Sequence, residues 1–391
     1  MAKIGPTDTL DGHMTNQTPW FISADGHMSE PLDLWTTRLD KKFRDRAPHV
    51  EFDNAGQPGA WWVYEGYKPH DLAVGIAGGQ LRTDEEKHAF IKSGSYADAR
   101  TGGWDPAERL KDMAADGVVA EVLYTTLGFR LFWLLDPELQ RECFRVYNDW
   151  LAEYCSYAPK QLKGIALISL YDPRLAAREL ERCVTMGLSG AMVWVTPPEN
   201  QPYWLAMYDV FWAKAQELGV PVSLHPPTGM DRPKYEFERN LRPLRPVIAA
   251  QEVQRSLGVI IASGVLERFP NLNVISAEYG IAWTPWWLDR INKMVGVGPS
   301  RRGGYDTKLS MKPTEYFQRQ CYVTYIRDEL GVKYRNDIGV DRIMWSSDYP
   351  HAASTWPKSA EFIDSDFAGG PETDKRMICH DNVAKLYGFE V

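Results

Sequence analysis

The sequence predicts an α/β protein, a (β/α)8 barrel (TIM barrel) with a long insertion after its first strand. Two observations lead there. Short runs rich in β-branched and aromatic residues recur eight times along 391 residues, with helical patterns between them. Most of these runs are near-continuously apolar, as strands covered on both faces are. A third observation orients the barrel. Ionisable residues gather just past the carboxyl ends of several runs, the end at which such barrels carry their sites.

Taken in order, residues 1–20 read as a polar tail, and the first strand is Phe21–Ala24. Residues 31–104 break the alternation. They hold "GAWWVYEGYKP", a hairpin pattern, and the Gly/Ser-rich "IKSGSYADARTGGW", and are expected to form an insertion covering the barrel mouth. The remaining strands are Val119–Tyr124, Gly164–Leu170, Ala191–Val195, Val220–Leu224, Leu272–Ala277, Cys321–Ile326 and Arg342–Ser346. Asp105-Pro106, Asp136-Pro137 and Asp172-Pro173 each set a capping acid before a proline at the first helical position. After Asp136, the residues Leu139, Cys143, Val146, Tyr147 and Trp150 make an apolar stripe of helical period. Gly187, Gly219 and Gly258 fall where helices or turns are expected to end. Thr228–Pro246 and Val295–Thr314 read as long loops. One barrel spanning residues 21–391 is therefore expected.

Composition narrows the function. A formal charge of −8 leaves no basic footprint, so neither nucleic acid nor an anionic membrane is an expected partner. No apolar run approaches the roughly 20 residues of a membrane span, and the first 19 residues lack a signal-peptide core. Five scattered cysteines with no C-x-x-C pair fit reduced thiols, and a cytoplasmic location is expected. A small-molecule substrate and a homo-oligomeric state, a dimer, complete the expectation.

The strand ends carry the chemistry. "SADGHMSEP" places Asp25 and His27 two residues apart, on one side of an extended chain. "SLHPP" ends the fifth strand on His225, "ISAEYG" the sixth on Glu278, and "WSSDYPH" the eighth on Asp348. Singly, each has a mundane reading: a hydrogen-bonded histidine, a capping acid, a turn-opening aspartate. Together at one end of one barrel they suggest a shared metal ion.

This placement resembles the amidohydrolase superfamily, in its amidohydrolase-related branch of aminocarboxymuconate-semialdehyde decarboxylase-like enzymes. The segments that carry the resemblance are "ISADGHMSEPLDLW" (22–35), "SLHPPTG" (223–229), "SGVLERFPNLNVISAEYG" (263–280), "WSSDYPH" (345–351) and "NVAKLYGF" (382–389). It implies metal ligands at Asp25, His27, His225 and Asp348. The chain departs from the superfamily twice. Trp194 stands near the fourth-strand position where binuclear members carry a bridging lysine or glutamate, which implies one metal. Glu278 stands where a histidine is usual.

The donors suit zinc first, with manganese or iron(II) as alternatives. Asp348 is the expected general base, Glu278 a further catalytic candidate, and His351 an acid or oxyanion donor. Arg130 in "TTLGFRLFW", Trp194 and Tyr325 are candidates for binding substrate. His13, His49, His70, His88 and His380 read as structural or solvated. The main reading is a metal-dependent hydrolase acting through a metal-activated water on a small carboxylated or cyclic compound. The alternative is non-oxidative decarboxylation. Behind these stand an iron-dependent oxygenase and a non-catalytic binding barrel.

Overall fold

The computed structural model describes residues 20–56, 58–72, 78–79, 83, 85–86, 90, 99–230, 244–295 and 309–390. The expected tail apart from Trp20, most of the two long loops, and His13 and His88 lie outside the described residues, as does much of the Gly/Ser-rich stretch.

Eight parallel strands form one sheet in chain order: β1 (Phe21–His27), β2 (Val118–Tyr124), β3 (Leu162–Leu167), β4 (Gly190–Val193), β5 (Val222–Leu224), β6 (Val274–Ser276), β7 (Cys321–Tyr325) and β8 (Ile343–Trp345). The last gap is bridged just past β8. There Asp348 N–H donates to the Asp25 carbonyl (2.9 Å) and Ser347 N–H to Ser23 Oγ (2.9 Å). The ring is a (β/α)8 barrel, and every expected strand is in it.

The Asp-Pro starts act as their chemistry dictates. Asp105, Asp136 and Asp172 each accept the N–H groups of the second and third helical residues, opening helices Pro106–Ala115, Pro137–Cys155 and Pro173–Thr185. The stripe from Leu139 to Trp150 is buried against the barrel. Gly219 ends helix Asp209–Leu218 in the left-handed region (φ 67°), where its N–H closes onto Ala215 and Gln216. Gly258 does not end a helix. It lies within Arg245–Ala262, where an added Cβ would meet Trp287 and Ile291 at 3.8 and 3.9 Å, and the helix runs straight through it.

The insertion builds its own antiparallel sheet from His49–Phe52, Ala60–Val63 and His70–Asp71. Trp62 of that sheet faces Trp35 with ring centres 5.1 Å apart, and Trp35 Nε1–H donates to the Cys143 carbonyl (3.0 Å). The insertion is thereby seated on helix Pro137–Cys155. Further along, Tyr67 donates to the Trp133 carbonyl (3.2 Å), and Gly78 N–H donates to the Pro350 carbonyl (2.9 Å). The insertion thus meets the loops that follow β2 and β8. No helix among the described residues is long and apolar enough to cross a membrane, and all five cysteines are free and buried.

Helix Ser359–Asp366 is tied to the barrel through Asp116, which accepts from Ser359 N–H (2.8 Å) and Ser359 Oγ–H (2.5 Å). Burial pushes this carboxyl from its ordinary 3.8 up to about 7, despite both hydrogen bonds. The folded state therefore keeps a proton that the unfolded chain releases. Asp116 favours folding most at low pH, and that contribution is lost as pH rises from about 4 through 7. Asp116→Asn should remove the dependence. The stability difference between the two proteins should shift toward the variant by up to about 1.4 kcal/mol per pH unit in that window, as urea midpoints at pH 5, 6 and 7 would record. A pH-independent difference would mean that Asp116 is ionised throughout.

Candidate metal centre

The site begins with a register slip. In β1, Ser23 lies opposite Glu121 and Gly26 opposite Leu123, so β1 carries one residue more than β2 over this span. Such a bulge re-aims side chains, and here it falls at Ala24–Asp25. Asp25 Oδ1 and His27 Nε2 end 3.3 Å apart, both fully buried. Gly26 between them leaves room for the guanidinium: a Cβ there would stand 2.7 Å from Arg109 Nη2, so any other residue would push the Arg109 head group aside.

Three further strand ends converge on this pair. His225 Nε2 lies 3.2 Å from Asp25 Oδ2 and 3.4 Å from Glu278 Oε2. Asp348 Oδ1 lies 3.2 Å from His27 Nε2 and 2.9 Å from His351 Nδ1, and the His351 ring stacks on His27 at 3.9 Å. Asp25, His27, His225 and Glu278 each offer one atom within 4.8 Å of the others; His27, Asp348 and His351 form a second such group. Glu278 and Asp348 both hold positive φ, 61° and 55°, which non-glycine residues rarely adopt. Backbone strain at two carboxylates of one cluster marks a functional site.

The imidazoles are poised as ligands. His27 Nδ1 meets the Thr125 carbonyl (2.9 Å) and His225 Nδ1 the Pro226 carbonyl. A carbonyl only accepts, so Nδ1 carries the hydrogen in both rings, and in the neutral form of each the Nε2 lone pair is turned inward. Asp25 Oδ1, His27 Nε2 and both Asp348 oxygens are buried without a well-aligned hydrogen bond, Asp348 Oδ1 having only the His351 and His27 imidazole nitrogens near it. Orphaned buried donors and acceptors are rare, and this set of imidazole and carboxylate atoms fits a divalent cation.

Electrostatics agree with a crowd of negative charge. Burial and the Asp348 charge push Glu278 up to about 8. Burial disfavours charge on His225, yet Asp25 and Glu278 hold it up at about 9. Burial also works against the Asp348 carboxylate, but His351 and His27 keep it well below the usual range. His351 is raised in turn, Asp348 outweighing its burial.

Of the expected substrate contacts, Arg130 is half-buried with its guanidinium over the Trp133 ring (4.6 Å). Trp194 and Tyr325 are fully buried. Trp194 donates to the Phe132 carbonyl (2.9 Å), and no ring contact or hydrogen bond among the described residues links either to the cluster. Residues that sequence reasoning passed over stand closer. Phe129 lies 4.6 Å from the His225 ring and 5.6 Å from His27, and Thr126 Oγ1 meets His351 Nε2 at 2.9 Å. Both belong to the "TTLGFRLFW" stretch from which only Arg130 was singled out. Glu30, fully buried, fixes that stretch by accepting from the Thr125 hydroxyl and from the N–H groups of Thr126 (3.1 Å), Leu127 (3.0 Å) and Gly128 (3.4 Å). A cavity of about 560 Å³ on the barrel flank, lined by Phe43, Phe144, Arg141, Arg178 and Glu179 among others, includes none of the cluster.

Beneath the cluster lies a buried ion pair. Arg109 donates through Nε to Glu121 (2.6 Å) and through Nη1 to the His27 carbonyl (2.8 Å), and it reaches the Tyr349 carbonyl through Nη2 (3.4 Å). One guanidinium thus grips the backbone of His27 and of the residue after Asp348.

A donor set of this kind at the carboxyl ends of a (β/α)8 barrel defines a class of enzyme that works through a divalent metal. Within that class the chain belongs to the amidohydrolase family, whose model matches residues 47–389. It is 32% identical to a gamma-resorcylate decarboxylase of Rhodococcus jostii (strain RHA1) over 271 residues, 65% of this chain and 79% of that one. The fold matches an amidohydrolase of Mycobacterium avium subsp. paratuberculosis K-10 with a TM-score of 0.76 at 23% identity, covering 94% of this chain and 99% of that one. It also matches a dihydroxybenzoic acid decarboxylase of Polaromonas sp. JS666, solved with manganese and the inhibitor 2-nitroresorcinol. There the TM-score is 0.65 at 22% identity, over 96% of this chain and 98% of the other.

Arg109→Met should leave Glu121 charged, buried and unpaired, at a cost of about 3–5 kcal/mol. Adding Glu121→Gln should restore part of the loss, because the stranded charge is gone. Denaturant midpoints of the two single variants and the double variant would measure the coupling. Strict additivity would mean that the pair is not what secures the strand ends.

Proposed function

We propose that the chain is a non-oxidative, metal-dependent decarboxylase of a small aromatic carboxylic acid. The observation that carries the choice of carboxy-lyase is the likeness to the Rhodococcus decarboxylase, and the Asp348–His351 pair, 2.9 Å apart with the Asp348 carboxylate also 3.2 Å from His27, supplies the acid–base group that such a reaction needs. The name of the Rhodococcus relative, a decarboxylase, supports the carboxy-lyase over hydrolysis, the main reading of the sequence. Asp25, His27, His225 and Asp348 would hold one divalent ion. The sequence favours zinc; a carboxylate-rich donor set and the manganese in the Polaromonas enzyme favour manganese. When bound, the metal supplies Lewis acidity, which holds substrate oxygens and draws off negative charge.

The residues of the chain do the rest. The bond to the carboxyl carbon breaks, its electron pair stays on the ring carbon, and carbon dioxide leaves. A proton takes the vacated position on the ring. Asp348 and His351 hold that proton between Oδ1 and Nδ1, while Thr126 Oγ1 keeps the His351 ring oriented from Nε2. Phe129, against both imidazoles, offers an apolar face for a substrate ring. Arg130, beside it in sequence, is the group to receive a substrate's outer anionic substituent. The insertion covers the mouth and keeps water out, in keeping with its contacts to the loops after β2 and β8. Deleting residues 58–70 should leave a folded barrel with slower turnover; loss of soluble protein would assign them to the core instead.

The test is carbon dioxide release from gamma-resorcylate and related ortho-hydroxybenzoates by manganese-loaded protein, run in ¹⁸O-labelled water. No carbon dioxide from these acids, together with ¹⁸O entering the acid product from their esters or amides, would return the reaction to hydrolysis. Asp348→Asn keeps shape and one ligating oxygen but cannot hand over the proton. It should retain much of its metal while turnover falls about 10²-fold or more. Near-normal turnover with normal metal would remove Asp348 from proton transfer.

A further inference from the structure

The sixth barrel strand ends on a carboxylate whose placement is costly and deliberate. Glu278 sits at φ 61°, a conformation that strains any side chain with a Cβ. Neighbours hold it there. Its N–H donates to Thr324 Oγ1 (2.9 Å), and Asp328 ties the turn that follows by accepting from Ile281 N–H (2.7 Å) and Ala282 N–H (2.9 Å).

That backbone delivers Glu278 Oε2 to 3.4 Å from His225 Nε2 and 4.0 Å from His27 Nε2. Metal–nitrogen and metal–oxygen bonds of about 2.0–2.2 Å allow two donors of one ion to stand no more than about 4.3 Å apart. Glu278 therefore falls within the reach of a single ion that His225 and His27 share. It is also the member that completes the four-donor group with Asp25, His27 and His225; Asp348 belongs to the other group, with His351. The orphaned Asp25 Oδ1 and His27 Nε2 between them are an independent sign that a cation belongs there.

Exposure separates Glu278 from its companions. The side chains of Asp25, His27 and His225 are 0% exposed and that of Asp348 1%, whereas Glu278 is 26% exposed. His351, in the other group, is 16% exposed, so of the five carboxylate and imidazole donors around the ion Glu278 is the one with appreciable access to solvent.

We propose that Glu278 is a metal ligand on the open side of the centre, and that it yields its coordination position to an incoming substrate oxygen. This rests on the metal-dependent reading above. The exchange breaks one metal–carboxylate bond as one bond to substrate forms, with no change of oxidation state. It gives the ion a fifth protein donor at rest, beside Asp25, His27, His225 and Asp348, and it makes substrate binding a competition with a tethered carboxylate. That competition disfavours weak ligands, water included, relative to a substrate that offers two oxygens at once.

The experiment uses the cobalt(II)-substituted protein, whose visible absorption reports the ligands around the ion, with salicylate as the bidentate probe. Glu278→Ala should bind cobalt about tenfold or more weakly, at least the scale seen on losing a partner of a metal ligand. Its spectrum should differ from wild type before any probe is added, and the loaded variant should bind salicylate more tightly than loaded wild type. Glu278→Gln, which keeps the packing, should fall between them and carries the same spectral test if the alanine variant is insoluble. A wild-type spectrum and cobalt affinity in both variants would overturn the ligand role. A changed spectrum with salicylate bound no more tightly would overturn the displacement. Wild-type protein that takes up no cobalt, manganese or zinc would instead overturn the metal reading, and this assignment with it.

Discussion

Three carboxylates brought within a few ångströms of two imidazoles, most of them out of contact with water, are a charge arrangement that a protein avoids unless a cation belongs in it. Desolvating one carboxylate costs several kcal/mol, and like charges at short range add to the cost. Asp25, Glu278 and Asp348 are gathered nonetheless, from β1, β6 and β8, and four of the surrounding polar atoms are left without a well-aligned hydrogen bond. The upward pressure on Glu278 from burial and from Asp348 expresses the same conflict. A divalent ion resolves it, and much of the nearby structure makes sense as what keeps these groups from moving apart.

The supports act on backbone more than on side chains. Arg109 holds the carbonyl of His27 and reaches that of Tyr349, Glu30 gathers the N–H groups of residues 126–128, and Thr125 offers its carbonyl to His27 Nδ1. Thr125 is therefore a junction. Its hydroxyl donates to Glu30 while its carbonyl sets the tautomer of a candidate ligand, so the loop after β2 and the end of β1 cannot shift independently. Buried ion pairs add little net stability. Their value here lies in position, since Arg109 passes so close to Gly26 that a Cβ between Asp25 and His27 would displace its guanidinium.

The barrel was legible in the sequence because its signals are local. An apolar run needs only its own residues, and an Asp-Pro pair caps its own helix, as Asp105, Asp136 and Asp172 do. The candidate donors were legible for the same reason: each sits where a strand run stops. Gly258 misled because a glycine's local preference does not by itself end a helix: Arg245–Ala262 runs through it, beside Trp287 and Ile291, which lie about thirty residues on. Trp194 and Tyr325 drew attention as aromatics at strand ends, but period-two alternation cannot say whether a ring lines a pocket or fills the wall. Glu30, Arg109, Thr126 and Phe129 were not legible as site residues. Their roles arise from contacts across the fold, between β1, the helix before β2 and the loop after it, and nothing at their own positions announces those contacts.

Hydrolysis and decarboxylation differ, in a site of this kind, in what occupies the open side and in which direction a proton moves. Hydrolysis needs a water on the metal and a base that takes its proton; decarboxylation needs the water absent and an acid that gives one to carbon. The Asp348–His351 pair is competent for either direction, so it does not by itself choose. Glu278 bears on the choice. A carboxylate tethered on the exposed side stands where a lone water would otherwise bind, and only a ligand with more than one oxygen competes well against it. An ortho-hydroxybenzoate carries such a pair of oxygens, and Phe129 lies against both imidazoles with an apolar ring for it to meet. The departure at the sixth strand, glutamate where the resemblance implies a histidine, is thus compatible with carboxy-lyase chemistry, and on the proposed reading water exclusion falls to a residue of the centre itself.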